Sequence, residues 1–164
     1  MRIFKEEQKF TQPWLVALLL ISAIVPAILL TKELLDGTVE IINYISLVLL
    51  IVFASSLIFF FKLKTRIDAT GIHYQFFPFH RKFITKSWTE ISSVTVQKYD
   101  PITDYGGWGL KKGSLWNQKK GDAMNVKGDI GIQIHFKNGK KLLIGTQKKE
   151  EVLLTLKNYK NKIE

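Results

Sequence analysis

The chain changes its hydrophobic pattern near residue 61. Residues 41–61 read IINYISLVLLIVFASSLIFFF, with fifteen Ile, Leu, Val or Phe side chains and no charged residue, Pro or Gly. A helix of that length spans ~31 Å, close to the ~30 Å hydrocarbon core of a bilayer. A helix that is apolar on every side otherwise needs a large protein around it, and the rest of this chain is short and polar. The pattern therefore predicts a membrane-spanning helix.

A second apolar run precedes the first. Residues 14–31, WLVALLLISAIVPAILLT, are long enough to cross a bilayer. Pro26 predicts a kink, because it cannot donate a hydrogen bond to the carbonyl four residues before it. The polar leader contains two glutamates and no small-residue cleavage site follows, which favours a retained helix over a cleaved signal peptide. The two runs together predict a transmembrane helical hairpin over residues 14–61.

The distribution of Lys and Arg predicts how the hairpin is oriented. The linker, residues 31–40, contains one lysine, whereas residues 1–13 and residues 62–66 each contain three Lys or Arg. The positive-inside rule places both cation-rich flanks, and so both termini, in the cytoplasm. Neither apolar run contains an ionisable Asp, Glu, Lys, Arg or His, which disfavours a channel or transporter. Residues 1–13 are expected to be a short cytoplasmic segment.

Beyond residue 61 apolar and polar residues alternate, which indicates half-buried β-strands. Asn138-Gly139 predicts a type I′ β-hairpin. Residues 148–163 place Val152, Leu156 and Tyr159 on one face, as in an amphipathic helix. About seven short antiparallel strands in meander order are therefore expected, followed by a capping helix. The predicted strands are 62–67, 72–77, 83–88, 94–97, 123–127, 130–136 and 140–145.

Four short motifs carry a family resemblance: DATGI at 68–72, WTEI at 88–91, YGGWGL at 105–110 and LIGTQ at 143–147. With two membrane helices before them, these motifs resemble the bacterial membrane-anchored proteins that contain a pleckstrin-homology-like domain. The resemblance covers most of residues 62–160 and implies a location in the bacterial cytoplasmic membrane and a superbarrel-like fold; it does not imply a reaction. We therefore expect residues 62–164 to form a cytoplasmic, mainly-β pleckstrin-homology-like barrel or roll capped by the C-terminal α-helix.

The amino-acid composition excludes several kinds of functional site. The chain contains no Cys, which excludes disulfides, thiolate catalysis and Cys-based zinc sites. Of its three histidines, His73 and His135 fall on the polar phase of their strands and are expected to face solvent. No histidine spacing suggests a metal site, and no nucleophile pattern such as G-x-S-x-G occurs. We predict no enzyme activity, no catalytic residues, no metal and no cofactor.

The positive charge is concentrated after the apolar runs. Residues 62–164 contain 20 Lys or Arg against 9 Asp or Glu, a balance of +11, whereas residues 1–61 contain 4 against 5. A glycine-rich segment, residues 105–121, combines this charge with aromatic side chains. Near an anionic inner leaflet each lysine contributes about 1 kcal/mol of attraction. The candidate lipid- or ligand-binding residues are Trp108, Lys111, Lys112, Trp116, Lys119 and Lys120.

Other interpretations of that segment stay open. Its glycines could serve only to let the loop pack on the barrel, and its lysines could form a solvated face that keeps the domain soluble. Basic and aromatic residues also bind single-stranded nucleic acid, but the chain contains no RNA-binding motif and no nucleic-acid partner is expected. Membrane lipids of the anionic inner leaflet are the expected partner, and a protein partner or homo-oligomer stays open.

The function favoured by the sequence is an integral membrane protein with a cytoplasmic binding or assembly module. Its ligand would be a lipid head group, a peptide or a partner subunit. One alternative is a structural subunit of a membrane complex, because small residues in both apolar runs allow close helix packing. A membrane-bound enzyme of lipid or envelope metabolism is less favoured, since its only candidates are scattered polar residues such as His80 and Asp100.

Overall fold

The computed structural model describes residues 2–113 and 120–162. The chain divides into two compact units. The first, the helical unit, consists of residues 10–61. The second, the β unit, combines residues 1–9 with residues 62–164, so the two ends of the chain belong to the same unit.

The helical unit contains two long apolar helices, α1 (Pro13–Leu35) and α2 (Ile41–Ser56), the latter continued by a 3-10 turn at Leu57–Phe60. Both are long and apolar enough to cross a membrane, and none of the most apolar 18-residue window of either helix is buried. That exposure distinguishes them from the core helices of a soluble protein. The prediction of two such helices is confirmed. Helix α1 continues through Pro26 and extends beyond the expected end at residue 31.

The β unit is mainly β-structure with a C-terminal helix, as the alternating pattern predicts. Its described residues form nine strands and two α-helices. The strands are β1 (Phe4–Lys9), β2 (Lys62–Ile67), β3 (Gly71–Phe77), β4 (Ile84–Ser87), β5 (Ile91–Lys98), β6 (Gly109–Lys111), β7 (Asp122–Asn125), β8 (Ile130–Phe136) and β9 (Lys141–Gly145). The helices are α3 (Pro101–Tyr105) and α4 (Lys149–Lys157), with a 3-10 turn at Lys160–Lys162 after the latter.

The strands form two sheets, and this corrects the predicted topology. The first sheet has the order β1-β2-β3-β4, and the second has the order β5-β8-β9-β7-β6. Within the described residues there are thus nine strands where about seven were expected, and they do not close into a barrel. The second sheet is not a meander, because β9 lies between β8 and β7 and pairs with β7 in parallel. Residues 142–145 of β9 are all buried, which suits a central strand covered on both faces.

Strand β1 lies within the segment 1–13 that was expected to be a polar leader. Its side chains alternate between buried and exposed, although only Phe4 among the buried ones is apolar. The Glu6 carboxylate accepts hydrogen bonds from Thr146 Oγ1 at 2.6 Å and from Gln147 N at 2.8 Å. Gln8 Nε2 donates to Gly145 O at 2.7 Å. Buried polar side chains are tolerated when they are hydrogen-bonded, so β1 fits the core edge through partners supplied by the far end of the chain.

Helix α4 and the turn that follows it pack onto the sheets through Val152 and Tyr159, both fully buried. The Tyr159 ring stacks on Trp88 with 5.5 Å between centroids, and its hydroxyl donates to Arg2 O at 2.7 Å. Trp88 Nε1 donates in turn to Asp68 O at 2.9 Å. Two of the sequence motifs, DATGI and WTEI, therefore meet beneath the C-terminal end of the chain. The helix is shorter than the predicted 148–163.

The predicted hairpin at Asn138-Gly139 connects β8 to β9, but its turn is not type I′. A type I′ turn needs positive φ at both central residues, and no non-glycine residue in the described ranges has positive φ. Of the two central residues of this turn, only Gly139 is left-handed, with φ of 80°. Gly139 N donates to Phe136 O at 2.9 Å, and Lys140 N donates to Asn138 Oδ1 at 3.1 Å. The asparagine side chain thus stabilises the turn without entering the left-handed region.

Candidate functional site

A cavity of about 460 Å³ lies in the β unit, between the β3–β4 side of the first sheet and strands β6 to β9 of the second. Its volume is within the range of small-molecule sites. Six lysines and two acidic residues line it among the residues that the structure describes, which gives the lining a balance of +4. The lysines are Lys86, Lys111, Lys112, Lys137, Lys140 and Lys141, and the acids are Glu90 and Asp122.

The lysines reach the cavity from three parts of the fold. Lys86 is on β4, Lys111 is the last residue of β6, and Lys112 follows it. The turn between β8 and β9, together with the first residue of β9, has the sequence KNGKK at residues 137–141 and contributes the other three. Because this turn is short, its lysines emerge close together at one end of the second sheet. The hairpin therefore brings three positive charges to the same end of the sheet.

Half of these lysines form the wall of the cavity and half form its rim. Lys86, Lys111 and Lys141 are half-buried, whereas Lys112, Lys137 and Lys140 are exposed. The Lys86 ammonium lies 5.4 Å from the centroid of the Phe136 ring, within cation–π range. Lys111 Nζ donates to Gly106 O at 3.3 Å. Lys86 and Lys111 are thus positioned by local contacts, and the rim lysines extend into solvent.

The polar residues facing these lysines keep the cavity suited to anions. Burial, followed by the charges of Asp122 and Glu90, raises the pKa of Tyr74 above its ordinary value. The Tyr74 hydroxyl therefore stays protonated and can donate a hydrogen bond to an anion. Asp122 Oδ1 accepts a hydrogen bond from Gly113 N at 2.9 Å, so this carboxylate oxygen is already bonded to the backbone of the adjoining loop. The described lining therefore contains six cationic donors and the neutral Tyr74 hydroxyl, together with the carboxylates of Glu90 and Asp122.

His80 forms part of the lining and is held as a neutral imidazole. Its Nδ1 accepts a hydrogen bond from Phe76 N at 3.2 Å, which requires that this nitrogen carry no proton. Burial lowers the pKa of His80 below its ordinary value of 6.5. The ring also lies 5.9 Å from that of Tyr74. At neutral pH His80 contributes shape and an acceptor to the cavity, and the positive charge comes from the lysines.

The lowered pKa of His80 predicts a pH dependence of stability. The unfolded chain binds more protons at His80 than the folded chain, so this contribution is fully present above pH 6.5 and is lost as the pH falls below that value. We expect the wild-type unfolding temperature to fall more steeply below pH 6.5 than that of His80→Gln, whose side chain does not titrate. Thermal unfolding of the detergent-solubilised protein between pH 5 and 8 measures this difference, and parallel curves for the two proteins would contradict it.

The structure separates the residues that the sequence singled out in segment 105–121. Lys111 and Lys112 line the cavity. Trp108 does not; its Nε1 donates to Gly128 O at 3.2 Å. Lys120 forms an ion pair with Asp104, and the Lys120 ammonium holds the pKa of that carboxyl below its usual range. Trp116 and Lys119 lie outside the described residues.

Sequence reasoning did not assign four lysines of the cavity to the site: Lys86, Lys137, Lys140 and Lys141. The available signal was the density of lysine around Asn138-Gly139, because a tight hairpin brings flanking residues together. Lys86 carried no such signal, since its contribution depends on how the two sheets face each other. Asp100, a scattered candidate for catalysis, caps α3 instead. Its Oδ1 accepts from Ile102 N at 2.8 Å and from Thr103 N at 3.1 Å.

His73 was expected to face solvent, and this prediction is wrong. Its side chain is only 13% exposed. Its Nε2 lies 3.0 Å from Asp68 Oδ1, and its Nδ1 lies 2.9 Å from Thr85 Oγ1. The partners are Asp68 in the β2–β3 turn and Thr85 on the neighbouring strand β4, which cross-strand pairing brings alongside His73.

Asp68 is the centre of that group. Burial raises the pKa of Asp68, but hydrogen bonds from Thr70 and His73 outweigh burial and hold it well below its ordinary value. Its second oxygen pairs with Arg66 Nη2 at 2.6 Å. Because Thr70, His73 and Arg66 already occupy the carboxylate, the group locks the β2–β3 turn. No set of three or more His, Asp or Glu side chains in residues 2–113 and 120–162 is arranged to hold a metal ion.

Comparisons with protein-family models, with curated proteins and with solved structures gave no match. The function is therefore inferred from the residues of the chain itself.

Proposed function

We propose that the helical unit crosses the bacterial cytoplasmic membrane as a two-helix hairpin with both chain ends in the cytoplasm. The length, composition and exposure of α1 and α2 support insertion. The excess of Lys and Arg on both flanks over the linker supports the orientation. The larger part of the β unit then begins at Lys62, directly after residue 61 of the helical unit, and is held at the inner leaflet by covalent attachment.

The β unit, in this proposal, is a pleckstrin-homology-like binding module. Two sheets of mostly antiparallel strands followed by a C-terminal helix support that assignment. The strand number, the parallel pairing of β7 with β9 and the open arrangement depart from the expected barrel. Binding is favoured over catalysis because the polar groups around Asp68 and Asp100, outside the cavity, serve as a turn lock and a helix cap.

The cavity in this module takes the phosphate-bearing head group of an anionic lipid. The single observation that carries this proposal is the convergence of six lysines on one cavity of about 460 Å³. Lysine binds phosphate as a point charge with three donors, and a membrane-attached module meets lipid phosphates at high local concentration. A protonated Tyr74 in the lining would add a neutral donor.

Titration of the full-length protein in non-ionic detergent tests the proposal. Short-chain phosphatidylglycerol should bind more tightly than phosphatidylcholine of the same chain length, as measured by calorimetry. Replacing the three rim lysines by Gln (Lys112→Gln, Lys137→Gln and Lys140→Gln) removes about 1 kcal/mol of attraction each. Binding of the anionic lipid should therefore weaken by about 100-fold. Inorganic pyrophosphate serves as a competitor without acyl chains.

A matched triple variant on the C-terminal helix and its following turn controls for net charge. Lys149, Lys157 and Lys160 are exposed and do not line the cavity, so replacing them by Gln removes the same charge elsewhere. Equal loss of binding in both triple variants would show that overall charge is responsible and would refute a specific site. Competition by pyrophosphate with no preference for the lipid would identify a soluble phosphate compound as the ligand.

A further inference from the structure

The connection between β3 and β4 combines exposed aromatic and basic side chains. With the last residue of β3 included, its sequence is FPFHRKF over residues 77–83. Phe77, Phe79 and Phe83 lie at the surface and are 41%, 62% and 47% exposed, respectively. Arg81 and Lys82 are exposed between them. Large apolar side chains grouped on a soluble surface indicate an interaction site. We call residues 77–83 the aromatic loop.

The backbone of the aromatic loop is fixed by hydrogen bonds. Gln75 Nε2 donates to His80 O at 3.2 Å and to Arg81 O at 2.9 Å. His80 N donates to Phe76 O at 2.8 Å. The Phe79 ring also stacks on Phe76, with 6.1 Å between centroids. A loop whose backbone is ordered before binding loses little conformational entropy when it docks.

Strand register places the aromatic loop beside the points where the chain enters and leaves the helical unit. Phe77 pairs with Lys62, the first residue after the helical unit, and Lys62 pairs with Lys9, the last residue before that unit. Adjacent strands are about 4.8 Å apart. Phe77, the first residue of the loop, therefore lies about 5 Å from Lys62, which directly follows the second apolar run.

We infer that the aromatic loop docks into the interfacial region of the bilayer. The phenyl rings enter the boundary between head groups and acyl chains, and Arg81 and Lys82 pair with anionic phosphates. Phe side chains of membrane-surface segments are buried about 5–10 Å into this boundary, and basic side chains are attracted to an anionic leaflet. The inference rests on the proposed membrane insertion of the helices but is independent of ligand binding in the cavity.

Spin labelling tests this inference cleanly because the chain contains no Cys. Full-length Phe79→Cys and Phe83→Cys are labelled with a nitroxide in nanodiscs of mixed phosphatidylglycerol and phosphatidylcholine. Accessibility to oxygen, which partitions into lipid, is compared with accessibility to a water-soluble nickel chelate. The oxygen-to-nickel ratio should be several-fold higher at both positions than at Leu154→Cys, an exposed apolar position on α4 that is 46% exposed.

A fourth label at Leu50→Cys in α2 separates this inference from the proposed insertion. If Leu50 is in lipid while residues 79 and 83 are in water, the membrane hairpin stands and the docking loop is refuted. If Leu50 is also in water, both are refuted. Labels at 79 and 83 that are shielded from oxygen and nickel alike would indicate a protein partner and would overturn the lipid assignment.

Charge variants provide a second measurement. Replacing Arg81 and Lys82 by Gln should lower the oxygen-to-nickel ratio at residue 83 in nanodiscs that contain phosphatidylglycerol, and should have little effect in pure phosphatidylcholine. The control variant Lys157→Gln with Lys160→Gln removes the same charge from the C-terminal end of the chain. A ratio that is unaffected by Arg81 and Lys82 in both lipids would refute their role in docking.

Discussion

Removing the first strand should unfold the β unit. We expect a chain that starts at Phe10, with β1 deleted, to insert into membranes but to lack a stable β unit. Phe4 is 2% exposed, and replacing a buried Phe by Ala alone costs about 3–5 kcal/mol. The deletion also removes the six-residue pairing with β2 and the bonds made by Glu6 and Gln8. The sum approaches the whole stability of a typical domain, about 5–15 kcal/mol.

Limited proteolysis and thermal unfolding of the detergent-solubilised protein measure this effect. The deleted chain should be cut within residues 62–164 under conditions in which the intact chain is resistant, and its cooperative unfolding transition should be lost. By the same argument, residues 62–164 expressed alone would be a poor substitute for the intact protein in binding experiments. Equal protease resistance of the deleted and intact chains would show that β1 is dispensable.

Point variants along β1 provide the matched control. Phe4→Ala and Glu6→Ala alter side chains on the buried face. Glu6→Ala leaves the Thr146 hydroxyl and the backbone N–H of Gln147 without their acceptor. Each hydrogen bond to a charged group contributes about 1.5–3 kcal/mol. Lys5→Ala and Glu7→Ala alter the exposed face, where the ion pair of Glu7 with Lys64 is worth about 1 kcal/mol or less. Sensitivity should therefore alternate along the strand.

The missed strand shows where sequence reasoning reached its limit. In FKEEQK the buried positions are occupied by Phe, Glu and Gln, so the period of two is invisible in hydrophobicity. Glu6 and Gln8 can be buried only because Gly145, Thr146 and Gln147 supply partners about 140 positions later in the chain. Local pattern contains no information about such partners. The long apolar runs, by contrast, were predictable because membrane insertion depends on local composition alone.

Strand pairing was likewise predictable where the partners are close in sequence and not where they are distant. The alternation of Ile130, Ile132 and Ile134 predicted β8, and the Asn138-Gly139 dipeptide predicted its hairpin with β9. The parallel partner of β9 was not predictable, because β7 pairs with it across an intervening strand in sequence. For the same reason the cavity was found only in part. Lys111 and Lys112 were recognised by their loop, whereas Lys86 joins them through the packing of two sheets.

Substituting Gly71 is the second change for which we expect a large effect. A Cβ atom at this position would lie 2.1 Å from Lys86 O and 2.9 Å from Lys86 C, and both are backbone atoms of the neighbouring strand β4. Backbone cannot rotate away as a flexible side chain can, so β4 must shift. Overpacking of this kind costs about 1–3 kcal/mol or more. We expect Gly71→Ala to lower the free energy of unfolding by about 3 kcal/mol.

The consequences of that shift should extend from the turn to the site. Gly71 pairs with Ser87 in the β3–β4 ladder, and the same ladder holds Thr85 against His73 and positions Lys86 at the cavity wall. Gly71→Ala should therefore weaken binding of short-chain phosphatidylglycerol as well as stability. Gly139→Ala is the control, because Gly139 also has positive φ but nothing lies within 4 Å of its added Cβ. Its cost should be limited to about 1–2 kcal/mol of backbone strain. If thermal unfolding shows equal losses for the two variants, the close approach of β4 to Gly71 is not what requires glycine there.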